Sequence, residues 1–187
     1  SPQGRLFLAK IHDRDRVAAD YLLGRGGRLI GVEGVYRLEA EPEAVELPGV
    51  EVLFRERTDP APFLELARDM RHSRFLMDAE IPLQAAERLW RESLANHCQG
   101  LAAELAVVMR HGEPAGLAAL TRDGEGLRLG IVGIRRAYRG QRLGQAVITA
   151  AARKHCRTAP LRVEAFTSNI PAVRLYERCG FRLESQV

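Results

Sequence analysis

A basic, glycine-containing turn between an apolar strand and a helix is the clearest chemical feature of this sequence. The strand ends with Ile-Val-Gly-Ile at residues 131–134, and the turn contains Arg-Gly-Gln-Arg-Leu-Gly at residues 139–144. The first N–H groups of a helix lack intrahelical partners, and the helix dipole places partial positive charge there. The two glycines let the backbone close around a phosphate, and the two arginines add countercharge. We therefore predict that this turn binds a phosphate-bearing ligand.

A second segment, residues 169–181, carries a tyrosine that could take part in proton transfer. Pro171 suits the first turn of a helix, and Gly180 suits a left-handed stop after its last turn. Tyr176 lies between them, on the apolar face of that helix. A phenol can donate a proton to a thiolate leaving group, whereas a half-buried core tyrosine would only pack. Whether Tyr176 is interpreted as functional therefore depends on the other motifs of the sequence.

The two segments together resemble the motifs of the GNAT N-acetyltransferase superfamily. Gln141-x-x-Gly144-x-Ala146 is similar to its acetyl-CoA signature, Arg/Gln-x-x-Gly-x-Gly/Ala. Residues 169–181 look like its closing motif, Asn-x-x-Ala-x-x-x-Tyr-x-x-x-Gly-Phe. Arg142 stands where many members carry another glycine. The resemblance implies an α+β fold with a central, mostly antiparallel twisted sheet flanked by helices.

The resemblance also implies a mechanism, in which acetyl-CoA is the co-substrate, no metal takes part and the acetyl group passes directly to a primary amine. Backbone N–H groups around Val132 to Ile134 would polarise the thioester carbonyl. Tyr176 would protonate the departing thiolate. Asn169 would contact the cofactor, and a plain N-cap role is the alternative. The residues implied in acetyl-CoA binding are Val132, Ile134, Arg139, Gly140, Gln141, Arg142, Leu143, Gly144, Gln145 and Asn169.

The base that deprotonates the amine is not assigned by the sequence. Amines are protonated at neutral pH, so a base or a water chain must remove a proton before attack. The strand at residues 127–134 has no carboxylate where many GNAT members carry a glutamate. His72, Asp78 and His111 are candidates, but each fits a surface or turn position better.

The acceptor site is expected around residues 71–78, between the first two helices of the GNAT-like unit. Ser73-Arg74-Phe75 is similar to a segment of the dTDP-fucosamine acetyltransferases, which act on an amine of a nucleotide-linked deoxysugar. This likeness implies that Arg74 pairs with a phosphate and that Phe75 lines the sugar or pantetheine channel. The alternative is that Arg74 is a solvated charge at a helix end and that Phe75 is a core residue. Acetylation of protein lysines or N-termini, and a non-catalytic CoA-binding module, are the other two hypotheses.

The net charge of +4 conceals an uneven distribution. Residues 127–187 contain 12 Lys and Arg against 3 Asp and Glu, a net of +9, whereas the remaining residues have a net charge of −5. This asymmetry indicates that the C-terminal part faces an anionic ligand. Because the basic residues form no run and are not interleaved with aromatic residues, a small molecule is favoured over nucleic acid.

The composition is that of an ordinary globular protein, with 46% hydrophobic and 28% charged residues. No apolar run approaches the length of a bilayer span, and the N-terminus does not resemble a signal peptide. Cys98, Cys156 and Cys179 are odd in number and widely spaced, which argues against disulfides or a zinc site and for a reducing compartment. We expect a cytoplasmic protein that acts on a small-molecule amine without nucleic-acid or membrane partners. A homodimer is compatible with the sequence.

The elements that must position these residues fall into two predicted units, an N-terminal subdomain at residues 1–49 and a GNAT domain at residues 50–187. The chain lacks an initiating Met, which is compatible with further residues before Ser1. Capping residues, proline positions and apolar periodicity predict the individual elements. Helices are expected at 15–23, 59–70, 82–96, after 142 and after 169, and strands at 28–39, 50–55, 105–110, 115–121, 127–134 and 161–166.

Overall fold

The computed structural model describes residues 7–187, and the fold of these residues is built on strands that lie in one sheet. The strands are β1 (Glu33–Leu38), β2 (Val50–Arg55), β3 (Glu104–Arg110), β4 (Glu113–Asp123), β5 (Gly126–Ile134), β6 (Leu161–Phe166) and β7 (Phe181–Gln186). The α-helices are α1 (Arg16–Gly24), α2 (Arg74–Met77), α3 (Leu83–Asn96), α4 (Leu143–His155) and α5 (Ile170–Arg178). A 3₁₀ helix covers Ala61–Asp69.

The sheet has the strand order β2-β3-β4-β5-β6-β1-β7. All neighbouring strands pair antiparallel except β5 and β6, which are parallel. The predicted α+β class, with a mostly antiparallel sheet flanked by helices, is confirmed.

Each face of the sheet is covered by its own set of helices. Along β3 the side chains alternate, so that Ala106 and Val108 join one buried cluster and Leu105 and Val107 join the other. The first cluster contains the apolar faces of α4 and α5, and the second contains buried residues of the 3₁₀ helix and of α3. The sheet is thus the middle layer of three, which is how an α+β fold buries both of its faces.

Most elements begin where the sequence predicts. The Asp15 carboxylate accepts a hydrogen bond of 3.0 Å from the Ala18 N–H and caps α1. The Asp59 carboxylate accepts one of 3.0 Å from the Ala61 N–H, but the helix that follows is 3₁₀ and not α. Strand β7 was not predicted, because its alternating pattern covers only Phe-Arg-Leu-Glu before the polar Ser and Gln.

The N-terminal strand β1 lies inside the sheet and does not form a sheet of its own. It pairs antiparallel with β6, Glu33 opposite Phe166, and with β7, Leu38 opposite Phe181. Tyr36 of β1 is buried in the same cluster as α4 and α5. The sheet therefore continues across the predicted boundary at residue 49, and the division into two domains stays a prediction.

Candidate active site

The strands β5 and β6 pair only over the first part of their length. Their parallel pairing ends with Leu129 opposite Val163, although β5 continues to Ile134. At that point the β4–β5 register shifts, because Gly130 is an extra residue between the pairs that Leu129 and Ile131 make with β4. A bulge of this kind bends a strand and increases its twist. The sheet accordingly opens between β5 and β6 at Gly130.

The opening leaves two backbone groups of β5 without a strand partner on that side. The Arg135 N–H donates to the Ala115 carbonyl of β4 at 2.8 Å. Because successive N–H groups of a strand point to opposite sides, the Val132 and Ile134 N–H groups point away from β4, toward the opening. These are the two residues whose N–H groups the sequence assigned to the thioester carbonyl.

The turn between β5 and α4 has the backbone geometry of an anion site. Gly140 has φ of 76° and Arg142 has φ of 60°, and Arg142 is the N-cap of α4 without a side-chain cap hydrogen bond. The Ala146 N–H is the first to bond inside the helix, at 3.0 Å to the Arg142 carbonyl. The preceding N–H groups are those that an anion at a helix N-terminus binds. They belong to Leu143, Gly144 and Gln145.

The two glycines of the turn serve different purposes. A Cβ at Gly140 would meet nothing within 4 Å, so this glycine is explained by its positive φ. A Cβ at Gly144 would lie 3.2 Å from Leu175 Cδ2 and 3.8 Å from Ile134 Cγ1. Gly144 therefore permits close packing of α4 against α5 and β5, whereas the sequence alone suggested room for a phosphate.

The basic side chains of the turn are partly occupied by carboxylates of the 3₁₀ helix. The Arg139 guanidinium lies 2.6 Å from the Asp69 carboxylate and donates from Nε to the Ile134 carbonyl at 3.0 Å. Arg136 lies 3.3 Å from the other oxygen of Asp69. Arg142 instead donates to the Gln145 side chain at 3.3 Å. Of the two predicted countercharges, Arg142 is thus the one without a carboxylate partner within residues 7–187.

Ion pairs across the chain also account for much of the uneven charge distribution. Glu41 pairs with Arg157 at 2.9 Å and with Arg153 at 3.4 Å, and Asp123 pairs with Arg128 at 2.6 Å. In each case a carboxylate from the acidic part of the sequence neutralises an arginine from the basic part. The charge asymmetry is therefore a weaker indication of an anionic ligand than the turn itself.

Tyr176 is buried in the core beside the turn, on α5. It is 7% exposed and its ring centroid lies 6.3 Å from that of Phe181. Burial raises the pKa of the Tyr176 phenol above its ordinary value, so the hydroxyl stays protonated at neutral pH. Asn169 caps the same helix, since its side-chain oxygen accepts a hydrogen bond of 3.4 Å from the Ala172 N–H.

A sequence model of the Acetyltransferase (GNAT) family matches residues 62–181, which include both motifs, the opening and the turn. The chain belongs to the GNAT acetyltransferase family. The match also covers the predicted acceptor segment.

Three proteins are similar to this GNAT chain in sequence or in structure. The spore coat polysaccharide biosynthesis protein SpsD of Bacillus subtilis is 32% identical over 136 residues, which cover 69% of this chain and 46% of SpsD. A GCN5-related N-acetyltransferase from Sphaerobacter thermophilus has a TM-score of 0.60 at 15% identity, over 94% of this chain and 56% of that one. A conserved protein of unknown function from Staphylococcus epidermidis has a TM-score of 0.65 at 16% identity, over 95% and 66%. The chain thus spans about half to two thirds of the length of these relatives, and the two structures show the fold alone.

The predicted acceptor segment of this GNAT chain is held in place by hydrogen bonds. The Ser73 hydroxyl accepts one of 2.8 Å from Trp90 Nε1 and one of 3.3 Å from the Leu76 N–H, so it caps α2 and ties it to α3. Arg74 lies 3.6 Å from the Glu33 carboxylate of β1, and its guanidinium lies 6.0 Å from the partly buried Phe75 ring. The assignment of Arg74 and Phe75 to a substrate stays a prediction.

The three candidate bases named from the sequence are not equally placed. The Asp78 carboxylate is buried and accepts hydrogen bonds from Arg28 at 2.6 Å and from the Glu80 N–H at 3.0 Å. His111 lies in the turn between β3 and β4. This turn is at the N-terminal end of β4, whereas Gly126 pairs with the C-terminal end. His72 is exposed in the turn before α2. Asp78 therefore fixes the loop that follows α2, and the two histidines occupy turns, as the sequence suggested.

Two carboxylates that the sequence analysis did not single out lie closer to the opening. Glu164 follows directly after Val163, the last residue of β6 that pairs with β5. Glu33 lies diagonally across from it on β1, on the same face of the sheet. Their side chains are only 22% and 12% exposed. The alternation of Leu-Arg-Val-Glu-Ala in β6 places Glu164 with Arg162 on the polar side of the strand, so no local pattern singled it out.

Residues 7–187 contain neither a metal-binding cluster nor a membrane-spanning helix. No group of three or more His, Cys, Asp or Glu residues in this part of the chain could hold a metal ion. Nor does any helix within these residues have the length and apolar character needed to cross a bilayer.

Proposed function

We propose that this chain transfers an acetyl group from acetyl-CoA to a primary amine. The observation that carries the proposal is the opening between β5 and β6, where free N–H groups of β5 lead into the uncapped N-terminus of α4. This backbone offers donors for a carbonyl and for a phosphate within one continuous segment, residues 132–145. A binding module that recognised only phosphate would not require the free edge of β5.

The residues present fit acetyl-CoA. The turn and the first turn of α4 would hold the pyrophosphate through Gly140, Gln141, Leu143, Gly144 and Gln145, with countercharge from Arg142 and Arg139. Arg139 would have to leave Asp69 to do so. The cofactor supplies an acyl thioester, which an amine can attack.

The chain's own groups would then perform three tasks. The N–H groups of Val132 and Ile134 would stabilise the negative charge that develops on the carbonyl oxygen. The Tyr176 hydroxyl, which like any phenol is protonated at neutral pH, would give its proton to the departing thiolate. Asn169 would keep α5 in position through its cap and contact the cofactor from there.

For the acceptor we propose the amine of a nucleotide-linked amino sugar. The Ser73-Arg74-Phe75 segment, similar to that of dTDP-fucosamine acetyltransferases, supports this choice, and so does a relative whose name places it in polysaccharide biosynthesis. Arg74 would bind the diphosphate and Phe75 would line the sugar. Arg74 is 36% exposed, so it can exchange Glu33 for a phosphate without unfolding α2.

The setting proposed for this reaction is the cytoplasm, with a small-molecule acceptor and no nucleic-acid or membrane partner. Cys98, Cys156 and Cys179 are all free thiols. Free thiols are the form that a reducing compartment maintains. A homodimer stays part of the proposal, to be tested by light scattering.

Thiol release from acetyl-CoA, followed with three kinds of acceptor, tests the proposal. We expect release with a dTDP-linked 4-amino-6-deoxysugar and little with spermidine or lysine-containing peptides. Arg74→Ala should raise the KM for the sugar nucleotide and leave that for acetyl-CoA almost unchanged, and Lys should rescue only in part because it lacks the planar fork. Arg91→Ala, at an exposed position of α3, is the matched control. Rapid acetylation of peptides or polyamines, with none of the sugar nucleotide, would refute the acceptor and leave the acetyl transfer standing.

A further inference from the structure

A primary ammonium of the chain itself is bound on the face of the sheet that α2 covers. Lys10 Nζ lies 2.7 Å from the Glu33 carboxylate and 2.5 Å from the Glu164 carboxylate. Lys10 is therefore held between two carboxylates that are themselves mostly buried, and the Glu164 carboxylate also accepts a hydrogen bond of 3.1 Å from Arg128. Ordering a Lys side chain in such a position costs considerable rotamer entropy, which a single solvated ion pair barely offsets. Two contacts with mostly buried carboxylates therefore distinguish Lys10 from an ordinary surface lysine.

The position of this ammonium relates it to the opening. Glu164 is the first residue of β6 beyond its pairing with β5, so its carboxylate branches off where the two strands separate. Glu33 also lies 3.6 Å from Arg74, in the predicted acceptor segment. Val132 is three residues beyond the last paired residue of β5, and a strand rises about 3.3 Å per residue. The amine is thus bound to a carboxylate of β6, the strand that borders the opening.

The segment that carries Lys10 reaches the sheet as an irregular arm, residues 7–15. It is attached at Asp13, whose N–H donates to the Gln186 carbonyl of β7 at 3.2 Å. Lys10 is 34% exposed and three residues before this attachment. This hydrogen bond and the ion pairs of Lys10 therefore both attach the arm to the sheet.

The chain contains only one other lysine, Lys154, with arginine at every other basic position apart from histidine. Lys154 is near the end of α4 and pairs with Glu104 of β3. It is 40% exposed, close to the value for Lys10, but lies on the other face of the sheet, with α4. Lys154 is therefore an internal control for any chemistry at Lys10.

We propose that Lys10 is an acetyl acceptor in cis and that Glu33 and Glu164 form the site for the acceptor's ammonium; this rests on the proposed acetyl transfer. Glu164 takes a proton from the Lys10 ammonium, and the free amine forms a C–N bond with the acetyl carbon as the C–S bond breaks. The thiolate leaves with the proton of Tyr176, the extra proton of the new amide nitrogen returns through water to the Tyr176 oxygen, and Glu164 releases its proton to solvent. The products are acetyl-Lys10, CoA and one proton, so atoms and charges balance.

Acetylation at this position would change the site. An amide carries no charge and makes no ion pair, so both contacts of Lys10 would be lost. The arm would then release Glu33 and Glu164, whose other contacts are Arg74 and Arg128, for the ammonium of an external acceptor. Lys10 in this way occupies the acceptor site until one turnover has removed it.

The first test uses acetyl-CoA alone and peptide mass spectrometry. Wild-type protein should gain one acetyl group at Lys10 and far less at Lys154, at a rate independent of protein concentration, as expected for a reaction in cis. Glu164→Gln should slow the gain at least about tenfold, because an amide neither accepts the proton nor pairs with the ammonium. Glu184→Gln, which removes a carboxylate bound to Arg162, is the matched control and should leave the rate unchanged.

The second test needs no cofactor. Hydrogen exchange at residues 7–13 should be faster in Lys10→Gln than in wild type, because the substitution removes both ion pairs, and unchanged in Lys154→Gln. Equal modification of both lysines, or an unmodified Lys10 in protein that acetylates an added amine, would overturn the inference and leave the proposed function intact. If CoA neither stabilises the protein nor supports any transfer, the proposed function itself fails.

Discussion

Replacement of Tyr176 by phenylalanine separates chemistry from packing at the candidate site. The tyrosine is 7% exposed and lies against Phe181, so the phenylalanine ring can keep the same contacts. Among the hydrogen bonds of residues 7–187, none involves the Tyr176 hydroxyl. The fold therefore has little to lose when this oxygen is removed.

The expected effects on stability and turnover differ widely in size. Loss of a hydroxyl without a partner should change the free energy of unfolding by at most about 0.5 kcal/mol. Loss of a general acid should lower kcat about a hundredfold, equivalent to about 2.7 kcal/mol in the activation free energy. The Kd for acetyl-CoA should stay within about twofold, because binding depends on the turn and on β5.

The pH dependence of stability provides a second readout for the same variant. Because burial raises the pKa of Tyr176 in the fold, its contribution to stability is complete below the ordinary tyrosine pKa of about 10. It is lost as the pH rises toward the raised value, since the unfolded chain ionises first. Wild type should therefore lose stability relative to the phenylalanine variant above about pH 10, measured by urea unfolding.

Thiol release at saturating acetyl-CoA, with urea unfolding on the same samples, measures these effects together. Tyr36→Phe is the matched control, because Tyr36 is 4% exposed and its pKa is also raised by burial, yet it lies on β1 away from the turn. We expect normal turnover in this control. Unchanged turnover in Tyr176→Phe, or equal losses in both variants, would refute the role of the phenol.

Three further predictions concern the backbone and the turn. Val132→Pro removes an N–H that points away from β4 and should lower kcat about a hundredfold or more in thiol release, whereas Val132→Ala retains the N–H and should retain kcat. Equal kcat values for the two variants would contradict the oxyanion role. Gly144→Glu should lower the free energy of unfolding by at least about 2 kcal/mol in urea, since its Cβ would lie 3.2 Å from Leu175 Cδ2; a neutral effect would contradict the packing assigned to Gly144. Asp69→Asn should tighten CoA binding about two- to fivefold in calorimetric titration, because it releases Arg139 at the cost of an exposed ion pair; weaker binding would show that Asp69 positions that arginine for the ligand.

The sequence predicted the local elements of this fold well, because their causes are local. The cap at Asp15, the proline at residue 82 and the alternation of β5 each act over a few residues. The place of β1 could not be predicted in this way. It results from the pairing of residues 33–38 with strands more than 120 positions away in sequence. The residue patterns of β1 and β7 do not indicate with which strand each one pairs.

The same distinction between local and long-range causes applies to the candidate site. The turn and Tyr176 were identified from their motifs, and the structure places the turn directly after β5 and Tyr176 in the buried cluster that contains residues of α4 and α5. The contact of Arg139 with Asp69 of the 3₁₀ helix could not be predicted, because it comes from a distant part of the chain, and the role of Arg139 in cofactor binding stays a prediction. Glu164 was missed for a similar reason, because its relation to the opening depends on where β5 and β6 stop pairing.

Amide chemical shifts during a titration with CoA test the central claim most directly, since each donor of the proposed site is a backbone N–H. The Val132 and Ile134 amides and those of residues 143–145 should shift strongly, whereas the Gly133 amide, which points to β4, should shift much less. Saturating CoA should also raise the melting temperature by about 5–10 °C, since a ligand at a hundred times its Kd stabilises the fold by about 2.7 kcal/mol. Absence of binding, or shifts confined to residues outside 130–146 and α5, would contradict the assignment of the acetyl-CoA site.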